Sequence, residues 1–448
     1  MKPGPTILRP RSSTFSLARA AFLALAVLAA ATAAGFAPQK SKPVRKADDD
    51  GESKPAKHQP PPAELAPGYM RVPYLQSLGA DSVLVAWVAS AEGEPAVDYG
   101  TSLDYGSTAQ AVSDGARRVA TLRRLKPGTT YYYRVRAGAR VLASGQDYAF
   151  RTDRGRGEPA FTFFATGDIG EPGDYQRRTV ASILRARPEP ELGLIAGDVV
   201  YDRGSSDDYD RNFMRYWGEV LRRIPLWPTL GNHDWGTPPE TNWCREWSLP
   251  GNEHYYSFDH ANAHFVAVDT RRGEIYDAAN QLQWLENDLR AHQDAAWLFV
   301  FCHYPGRTCT YKEDTPEVVA KLLPLFDRYH VDVVFNGHAH TYERLYPLAQ
   351  GQPVDRDQDP NYTDPKGTIY IVSGAGGKLK KGEPTSSCGP TAFSKDETVV
   401  WTRVRVDGPL CTIETFASVD DGLVDKVTIT KSRLAGNPPA GSAGGRSQ

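Results

Sequence analysis

Five short polar motifs, each directly after an apolar run, constrain the fold of this chain more than any other feature. An apolar run of four to seven residues is typical of a buried strand, and the carboxyl ends of neighbouring parallel strands lie at one edge of a sheet. In chain order the motifs are GDIG (167–170), GDVVY (197–201), GNHD (231–234), VFCH (300–303) and GHAH (337–340). The pattern predicts one sheet edge lined by Asp, Asn, His and Tyr side chains.

Between residues 159 and 432, apolar runs alternate with segments of helical periodicity. Within 316–329, for example, Val318, Leu322 and Phe326 are spaced to share one helix face. The predicted strands are 161–166, 192–196, 263–269, 297–302, 331–335 and 368–372, and the predicted helices are 177–187, 281–291 and 316–329. This alternation predicts a layered α/β domain with its sheets inside.

Residues 69–152 have a different pattern, that of an all-β module. The segments 82–87 (SVLVAW) and 130–135 (TYYYRV) are rich in strand formers, and turn residues separate the short strands. This pattern predicts a small β-sandwich. The module contains no cluster of His, Cys or acidic residues, so we expect it to serve packing or spacing.

The residue composition near both ends of the chain is typical of targeting segments and unfolded segments. Basic residues followed by an apolar run with small residues at its end predict a signal peptide over 1–34. Such a segment implies a secreted or periplasmic protein without stable membrane association, and an uncleaved membrane anchor is the alternative. Residues 35–68 are rich in Pro, Lys and Asp and predict a flexible linker, and residues 433–448 predict a disordered tail.

The charge of the chain speaks against nucleic-acid binding, and its cysteines allow disulfides. The 448 residues carry a formal net charge of −2, without the basic excess that nucleic-acid binding requires. Of the five cysteines, Cys302 lies in an apolar run and is expected to be a buried thiol. The other four could form two disulfides in an exported protein, and the sequence leaves their pairing open.

The donors in the five motifs fit metal chemistry when they are taken together. Several carboxylates buried at one edge need a compensating positive charge, which two metal ions would supply. Two cations held roughly 3.5–4 Å apart by a bridging carboxylate clamp a phosphate and generate a hydroxide nucleophile from bound water. A mixed set of Asp, His, Asn and Tyr donors favours borderline to hard metals, and a phenolate suits Fe(III).

The order GDxG, GDxxY, GNH[DE], VxxH and GHxH resembles the purple acid phosphatases of the calcineurin-like metallophosphoesterase superfamily, and all five motifs are present. Residues 69–152 are similar to the fibronectin type III-like domain that precedes the catalytic domain in larger members. The resemblance implies an αββα sandwich of two mixed sheets flanked by helices. It also implies hydrolysis of small-molecule phosphate monoesters, that is, acid phosphatase activity, by a monomer or a homodimer.

The resemblance further implies the ligands of a dinuclear metal centre. The Fe(III) ligands would be Asp168, Tyr201 and His340, and the ligands of a divalent Zn, Fe or Mn ion would be Asn232, His303 and His338. Asp198 would bridge the two ions and act in catalysis. His233 would contact the substrate phosphate or the leaving group, beside Asn232.

One departure from the family pattern leaves the general acid open. Plant-type members carry an extra histidine near the VxxH motif, whereas the stretch after His303 contains none. His233 would then act alone, or Arg307 or Tyr311 would contact the substrate. A phosphodiesterase or nucleotide pyrophosphatase on the same centre is the alternative activity, and a degenerate, non-catalytic binding protein is a further alternative. The glycine-rich run 374–377 is expected to shape the rim of the cleft.

Overall fold

The computed structural model describes residues 70–156, 160–235, 239–357, 359–380 and 389–434. The proposed signal peptide and linker, and all but the first two residues of the proposed tail, lie outside these ranges. Among the helices of the described ranges, none is both long and apolar enough to cross a bilayer.

The first domain consists of eight strands in one antiparallel sheet that curls around its own core. The strands are β1 Met70–Gln76, β2 Ser82–Ala89, β3 Pro95–Gly100, β4 Ser107–Asp114, β5 Arg117–Arg123, β6 Thr130–Ala137, β7 Arg140–Ala143 and β8 Ala149–Arg151. Their order is β1-β2-β5-β4-β3-β6-β7, and β8 pairs with β6. In β6 the side chains of Tyr131, Tyr133 and Val135 alternate into the core, where they join Trp87. The predicted all-β module is confirmed.

The second domain contains two mixed seven-stranded sheets. The first has the order β11-β10-β9-β22-β23-β24-β19, and the second has the order β12-β13-β14-β15-β20-β16-β21. The strands of the first sheet are β9 Ala160–Thr166, β10 Leu192–Ile195, β11 Leu226–Pro228, β19 Asn361–Thr363, β22 Val400–Asp407, β23 Leu410–Ala417 and β24 Leu423–Thr430. Those of the second are β12 Tyr256–His260, β13 Ala263–Ala267, β14 Trp297–Cys302, β15 Val333–Asn336, β16 Tyr342–Leu345, β20 Ile369–Ser373 and β21 Thr391–Lys395. A separate ribbon joins β17 Leu348–Ala349 to β18 Gln352–Pro353.

Helices cover the outer faces of both sheets. The helices are α1 Asp174–Arg185, α2 Ser206–Asp208, α3 Arg215–Leu221, α4 Pro239–Glu246, α5 Ala278–Ala291, α6 Pro316–Lys321 and α7 Leu323–Tyr329, with a π-helix at Tyr209–Met214 and a 3₁₀ helix at Arg271–Gly273. Helices α1 and α3 share a core with the first sheet, and α5 to α7 share one with the second. In α5, Gln281, Leu285 and Leu289 are buried at intervals of four residues, which places them on one face. The αββα sandwich is confirmed.

The single helix predicted over 316–329 is two helices in the structure. Helix α6 ends at Lys321 and α7 begins at Leu323, with a proline in its first turn. Pro324 has no backbone N–H to donate and its ring crowds the preceding turn, so the helical hydrogen bonding is interrupted there.

Aromatic packing holds the two sheets face to face. The ring of Phe163 from β9 makes edge contacts with Phe265, Phe299 and Phe335 of the second sheet, at centroid distances of 5.2, 5.1 and 6.0 Å. Such edge-to-face pairs contribute about 0.5–1.5 kcal/mol each beyond the apolar area that they bury. Because β9, β14 and β15 all carry polar motifs at their carboxyl ends, this packing also fixes how far apart those motifs lie.

A polar network joins the first domain to the segment after the GNHD motif. Arg71 of β1 pairs with Asp210 at 2.5 Å and with Glu246 of α4. Gln76 donates to the Glu246 carbonyl oxygen at 3.0 Å and accepts from the Ser248 amide at 2.7 Å. The first domain therefore supports the chain that leaves the GNHD turn.

The cysteines follow the sequence prediction only in part. Cys302 is a buried free thiol, as predicted. Cys309 is disulfide-bonded, whereas Cys411 is a buried free thiol in β23. Of the pairings that the sequence left open, those with two disulfides among the four cysteines are therefore excluded, since they would need Cys411.

An ionic cluster around the buried His264 links β12, β13 and α5. The His264 imidazole is 1% exposed, and its Nδ1 and Nε2 lie 2.7 Å from Asp259 Oδ1 and 2.9 Å from Asp288 Oδ2. Burial by itself lowers the pKa of His264, but the two carboxylates outweigh burial and raise that pKa above its ordinary value of 6.5. The His292 ring stacks on the His264 ring in a nearly parallel plane, at a centroid distance of 3.7 Å.

We predict that His264→Gln lowers the free energy of unfolding by about 2 kcal/mol at pH 6 and by less at pH 9. Because the pKa of His264 is raised by folding, the stabilisation is fully present below the pKa of the unfolded chain and is lost as pH rises through the folded pKa. Urea unfolding at both pH values measures the difference. His330→Asn, at an exposed left-handed position that asparagine tolerates, is the control. An equal loss at the two pH values would contradict the ionic role of His264.

Candidate metal centre

The structure brings all seven proposed metal ligands to one edge of the sandwich. Asp168 follows β9, Asp198 and Tyr201 follow β10, Asn232 follows β11, His303 follows β14, and His338 and His340 follow β15. Asp168, Asp198 and His338 have φ values of 54°, 51° and 68°. A positive φ is strained for these residue types, and such strain clusters at functional sites.

Asp168, Tyr201 and His340 form the first group of donors. The Tyr201 hydroxyl lies 3.2 Å from Asp168 Oδ1 and 3.4 Å from His340 Nε2. His340 Nε2 and Asp168 Oδ1 are 3.4 Å apart. Three donors at about 2.0–2.2 Å from one cation are separated by about these distances. All three residues are buried.

Asn232, His303 and His338 form the second group. His303 Nε2 lies 3.0 Å from Asn232 Oδ1, and the rings of His303 and His338 are 5.2 Å apart. His303 Nδ1 lies 2.8 Å from the Ala196 carbonyl oxygen. Because a carbonyl oxygen only accepts, Nδ1 carries the proton, and the Nε2 lone pair faces the site.

Asp198 lies between the two groups. Its Oδ1 is 3.5 Å from His303 Nε2. Burial, and then the charge of Asp198, raise the pKa of Tyr201 well above its ordinary value. Ligand atoms of Asp168, Asp198 and His303 all lie within 4.8 Å of one another. This is the position that a bridging carboxylate would occupy.

Backbone amides orient both carboxylates. The His338 amide donates to Asp168 Oδ2 at 2.8 Å, and the His233 amide donates to Asp198 Oδ1 at 2.9 Å. Each carboxylate is therefore held by a backbone amide of a loop that follows a different strand and carries proposed metal ligands of its own. The loops are coupled through the site itself.

The two carboxylates share a desolvated space and differ in pKa. Burial, and then the charge of Asp198, raise the pKa of Asp168 to about 7. Burial alone would raise the pKa of Asp198, but the electrostatic effect of the neighbouring His303 and His233 rings and the hydrogen bond from the His233 amide outweigh burial and lower that pKa. Among the described residues, the ion pairs of these two carboxylates are with His303 and His340 alone. A site of this kind is completed by cations, and the donor types and spacings fit two of them.

Two glycines leave room for this arrangement. A Cβ on Gly231 would lie 2.2 Å from Asp198 Oδ1. Gly197 has a φ of 79°, and a Cβ there would meet the His303 ring at 2.5 Å. Glycine is thus required at these two motif positions because neighbouring side chains leave no room for a Cβ, and at Gly197 also because of the positive φ.

Two residues without a predicted role support the ligands. Asp234 is fully buried and accepts hydrogen bonds from the Gly231 amide at 2.8 Å and the Val200 amide at 3.2 Å. It fastens the GNHD turn to the GDVVY turn. The Tyr304 ring packs on His338 at a centroid distance of 4.0 Å. The position of Asp234 in the GNHD motif was the available signal, but nothing in the sequence indicated its partners.

The proposed substrate-contacting residues lie in three different settings. His233 packs on the Tyr201 ring at 4.4 Å, and its Nδ1 lies 2.8 Å from the Asp202 carbonyl oxygen, which leaves Nε2 for a substrate. The Tyr311 hydroxyl accepts from the His340 amide at 2.9 Å, so this side chain borders the site. Arg307 is engaged by Asp314 at 2.6 Å.

Glu343 and Arg344 follow the last histidine motif but do not pair with each other. As neighbours on β16 they point to opposite faces of the sheet. Glu343 accepts from the Thr308 hydroxyl at 2.7 Å and the Cys309 amide at 3.0 Å, while Arg344 pairs with Asp425 at 2.7 Å. Glu343 therefore fastens the segment after the VFCH motif to β16.

Comparison with known proteins agrees with this geometry. The calcineurin-like phosphoesterase family matches residues 161–342, and the purple acid phosphatase N-terminal domain matches residues 72–152. Acid phosphatase type 7 of Mus musculus is 28% identical over an alignment of 364 residues that covers 70% of this chain and 78% of that relative. Purple acid phosphatase 18 of Arabidopsis thaliana is 26% identical over 335 residues, covering 68% of this chain and 70% of that relative.

A solved structure shows the same fold. Purple acid phosphatase PPD1 from yellow lupin (Lupinus luteus) seeds superimposes with a TM-score of 0.72 at 19% identity, covering 81% of this chain and 75% of that chain. The fold and the family matches together define a metallophosphoesterase, a class that implies a dinuclear metal centre, and Asp168, Asp198 and His303 form a group that could hold a metal ion. Within that class, the chain belongs to the purple acid phosphatase-like members of the calcineurin-like phosphoesterases.

We predict that Gly231→Ala reduces the metal content of the purified protein and lowers its free energy of unfolding by about 1–3 kcal/mol. The added methyl group would overlap the Asp198 carboxylate and displace it. Elemental analysis and urea unfolding measure the two effects. Gly79→Ala is the matched control, because a Cβ there meets its nearest atom at 3.8 Å. Metal content equal to that of the wild type would contradict the required close approach.

Proposed function

We propose that this protein is an acid phosphatase that hydrolyses small-molecule phosphate monoesters at a dinuclear metal centre. The observation that carries the proposal is the arrangement of two three-donor groups on either side of Asp198. The family membership, and relatives whose names are those of acid phosphatases, support the same activity.

The two groups differ in donor chemistry, which supports an unequal metal pair. Asp168, Tyr201 and His340 include a phenol, and a phenolate is a hard donor that suits Fe(III). Asn232, His303 and His338 are neutral donors that suit a divalent Zn, Fe or Mn ion, with Asp198 shared. When bound, such a pair supplies charge stabilisation to the phosphoryl oxygens and activates a water molecule for attack on phosphorus.

His233 is the proposed general acid. Its Nδ1 is fixed by the Asp202 carbonyl oxygen, so Nε2 is the atom that faces a substrate. The ring packs on Tyr201, and the backbone amide is held by Asp198. An imidazolium in this position would hydrogen-bond the phosphate and protonate the departing oxygen. Arg307, already engaged by Asp314, is less suited to this role.

We further propose that the protein acts outside the cytoplasm, as its expected signal peptide implies. The expected linker over 35–68, the β module over 69–152 and the catalytic domain over 159–432 complete the proposed organisation. In this arrangement the β module supports the catalytic domain through Arg71 and Gln76 and takes no part in catalysis.

We expect the purified protein to be purple to pink and to contain iron in a pair of metals per chain. Tyr201→Phe should abolish the broad visible band, because the phenolate would be its donor, and Asp198→Asn should abolish turnover of p-nitrophenyl phosphate. Elemental analysis, a visible spectrum and the turnover assay on one sample test both variants.

Two outcomes would revise the proposal in different ways. An active but colourless protein with two metals would remove Fe(III) and keep the phosphoesterase. An absence of turnover after metal reconstitution would favour the non-catalytic alternative.

We predict that the loss of activity in His233→Asn depends on the leaving group. A general acid contributes typically 10²–10⁴-fold when the departing oxygen is strongly basic. We therefore expect about that loss in kcat for an alkyl phosphate and a much smaller loss for p-nitrophenyl phosphate, whose leaving group needs no protonation. Equal losses for the two substrates would show that His233 binds the phosphate without donating a proton.

A further inference from the structure

The backbone of His340, the last of the proposed metal ligands, is held from two sides. Its amide donates to the Tyr311 hydroxyl at 2.9 Å, and its carbonyl oxygen accepts from the Lys380 amide at 3.2 Å. Its side-chain Nε2 lies 3.4 Å from both the Tyr201 hydroxyl and Asp168 Oδ1. The place of this nitrogen in the first donor group therefore depends on what keeps the Tyr311 hydroxyl in position.

One buried carboxylate anchors the segment 308–311, which ends at Tyr311. Glu343 is 0% exposed and accepts from the Thr308 hydroxyl at 2.7 Å and from the Cys309 amide at 3.0 Å. Cys309 is also disulfide-bonded. The first three residues of the segment are at most 7% exposed, so the segment is packed inside the protein and fastened at its start.

These contacts close a ring of two short chain segments. Residues 340–343 run from the metal ligand into β16, and residues 308–311 run from the carboxylate back to the ligand. The ring is closed at one end by the hydrogen bond from Thr308 to Glu343 and at the other by the one from His340 to Tyr311. Because so small a ring has few independent rotations, a displacement at Glu343 also displaces the His340 backbone.

A displacement of this kind matters for a metal site. A productive set of ligands has to be held to within about 0.5 Å of its working geometry by the residues around it. Removal of a residue that orients a metal ligand from outside typically lowers metal affinity about 10–100-fold. Glu343 stands in that relation to His340, since it contacts neither Asp168 nor Tyr201 and acts through Thr308 and Cys309.

We propose that Glu343 is a positioning residue for the metal centre and holds His340 in place through the segment 308–311. The proposal rests on the dinuclear centre of the proposed function. It goes beyond that function because it gives a role to a carboxylate that binds neither metal nor substrate.

The first test is Glu343→Gln, which keeps the size of the side chain and replaces one oxygen with an NH₂ group. The Thr308 hydroxyl can reverse its role, but the Cys309 amide, at 3.0 and 3.1 Å from the two oxygens, can only donate. We therefore expect the segment to shift and the variant to bind metal about 10–100-fold more weakly than the wild type. Dialysis of the metal-loaded protein against graded chelator, followed by elemental analysis, measures this loss.

Two milder variants test the ring itself. Thr308→Val and Tyr311→Phe each remove one hydroxyl from a closing hydrogen bond and should weaken metal binding in the same direction. Because Glu343 and Tyr311 act through one segment, Glu343→Gln combined with Tyr311→Phe should weaken binding no more than the more severe single variant. Losses that multiply in the double variant would show that the two residues act separately and would overturn the proposal.

Arg344→Met is the matched control. Arg344 is the next residue of β16, is 5% exposed and pairs with Asp425 at 2.7 Å on the opposite face of the sheet. Its removal should lower stability in urea and leave metal retention unchanged. A Glu343→Gln protein that retains metal as well as the wild type does, or an Arg344→Met protein that loses as much metal, would refute a positioning role.

Failure of the proposed function would look different. A wild-type protein that retains no metal after reconstitution would refute the dinuclear centre itself. A wild-type protein with two metals per chain that Glu343→Gln retains equally well would refute only the role of Glu343.

Discussion

Two buried carboxylates that share one desolvated pocket set the conditions for the rest of this structure. Asp168 and Asp198 end neighbouring strands of one sheet, and each is held by an amide from a loop that carries other ligands. Their charge is not balanced by lysine or arginine among the described residues, and the pKa of Asp168 rises to about 7. A pocket of this kind is stable only with cations, or with protons in their place.

The scaffold is rigid where that pocket requires it. Phe163 packs on three phenylalanines of the opposite sheet, so the loops after β9, β14 and β15 keep a fixed separation. Gly231 and the buried Asp234 hold the turns close together, at distances that leave no room for a methyl group. The first domain contributes from outside, since Arg71 binds the helix that follows the GNHD turn.

The local elements could be predicted because their signals are local. The strand Trp297–Cys302 matches its apolar run residue for residue, and α5 differs from its predicted range only at its start. The division of 316–329 into two helices was missed, although Pro324 was visible, because the apolar stripe continues through it. The free thiol of Cys411 was also missed, since burial in β23 is a property of the assembled sheet.

The sequence by itself determined a layered α/β domain, the all-β module before it and the set of donor residues that meet at one edge, and the family resemblance of the motifs added the αββα sandwich. These follow from periodicity and from the order of motifs along the chain. Only the tertiary structure gave the distances between these donors, the backbone amides that hold Asp168 and Asp198, and the position of Lys378 and Lys380 over Tyr201 and Tyr311. Such contacts join residues that lie far apart in the sequence, and their distances depend on how the two sheets pack, which no local pattern encodes.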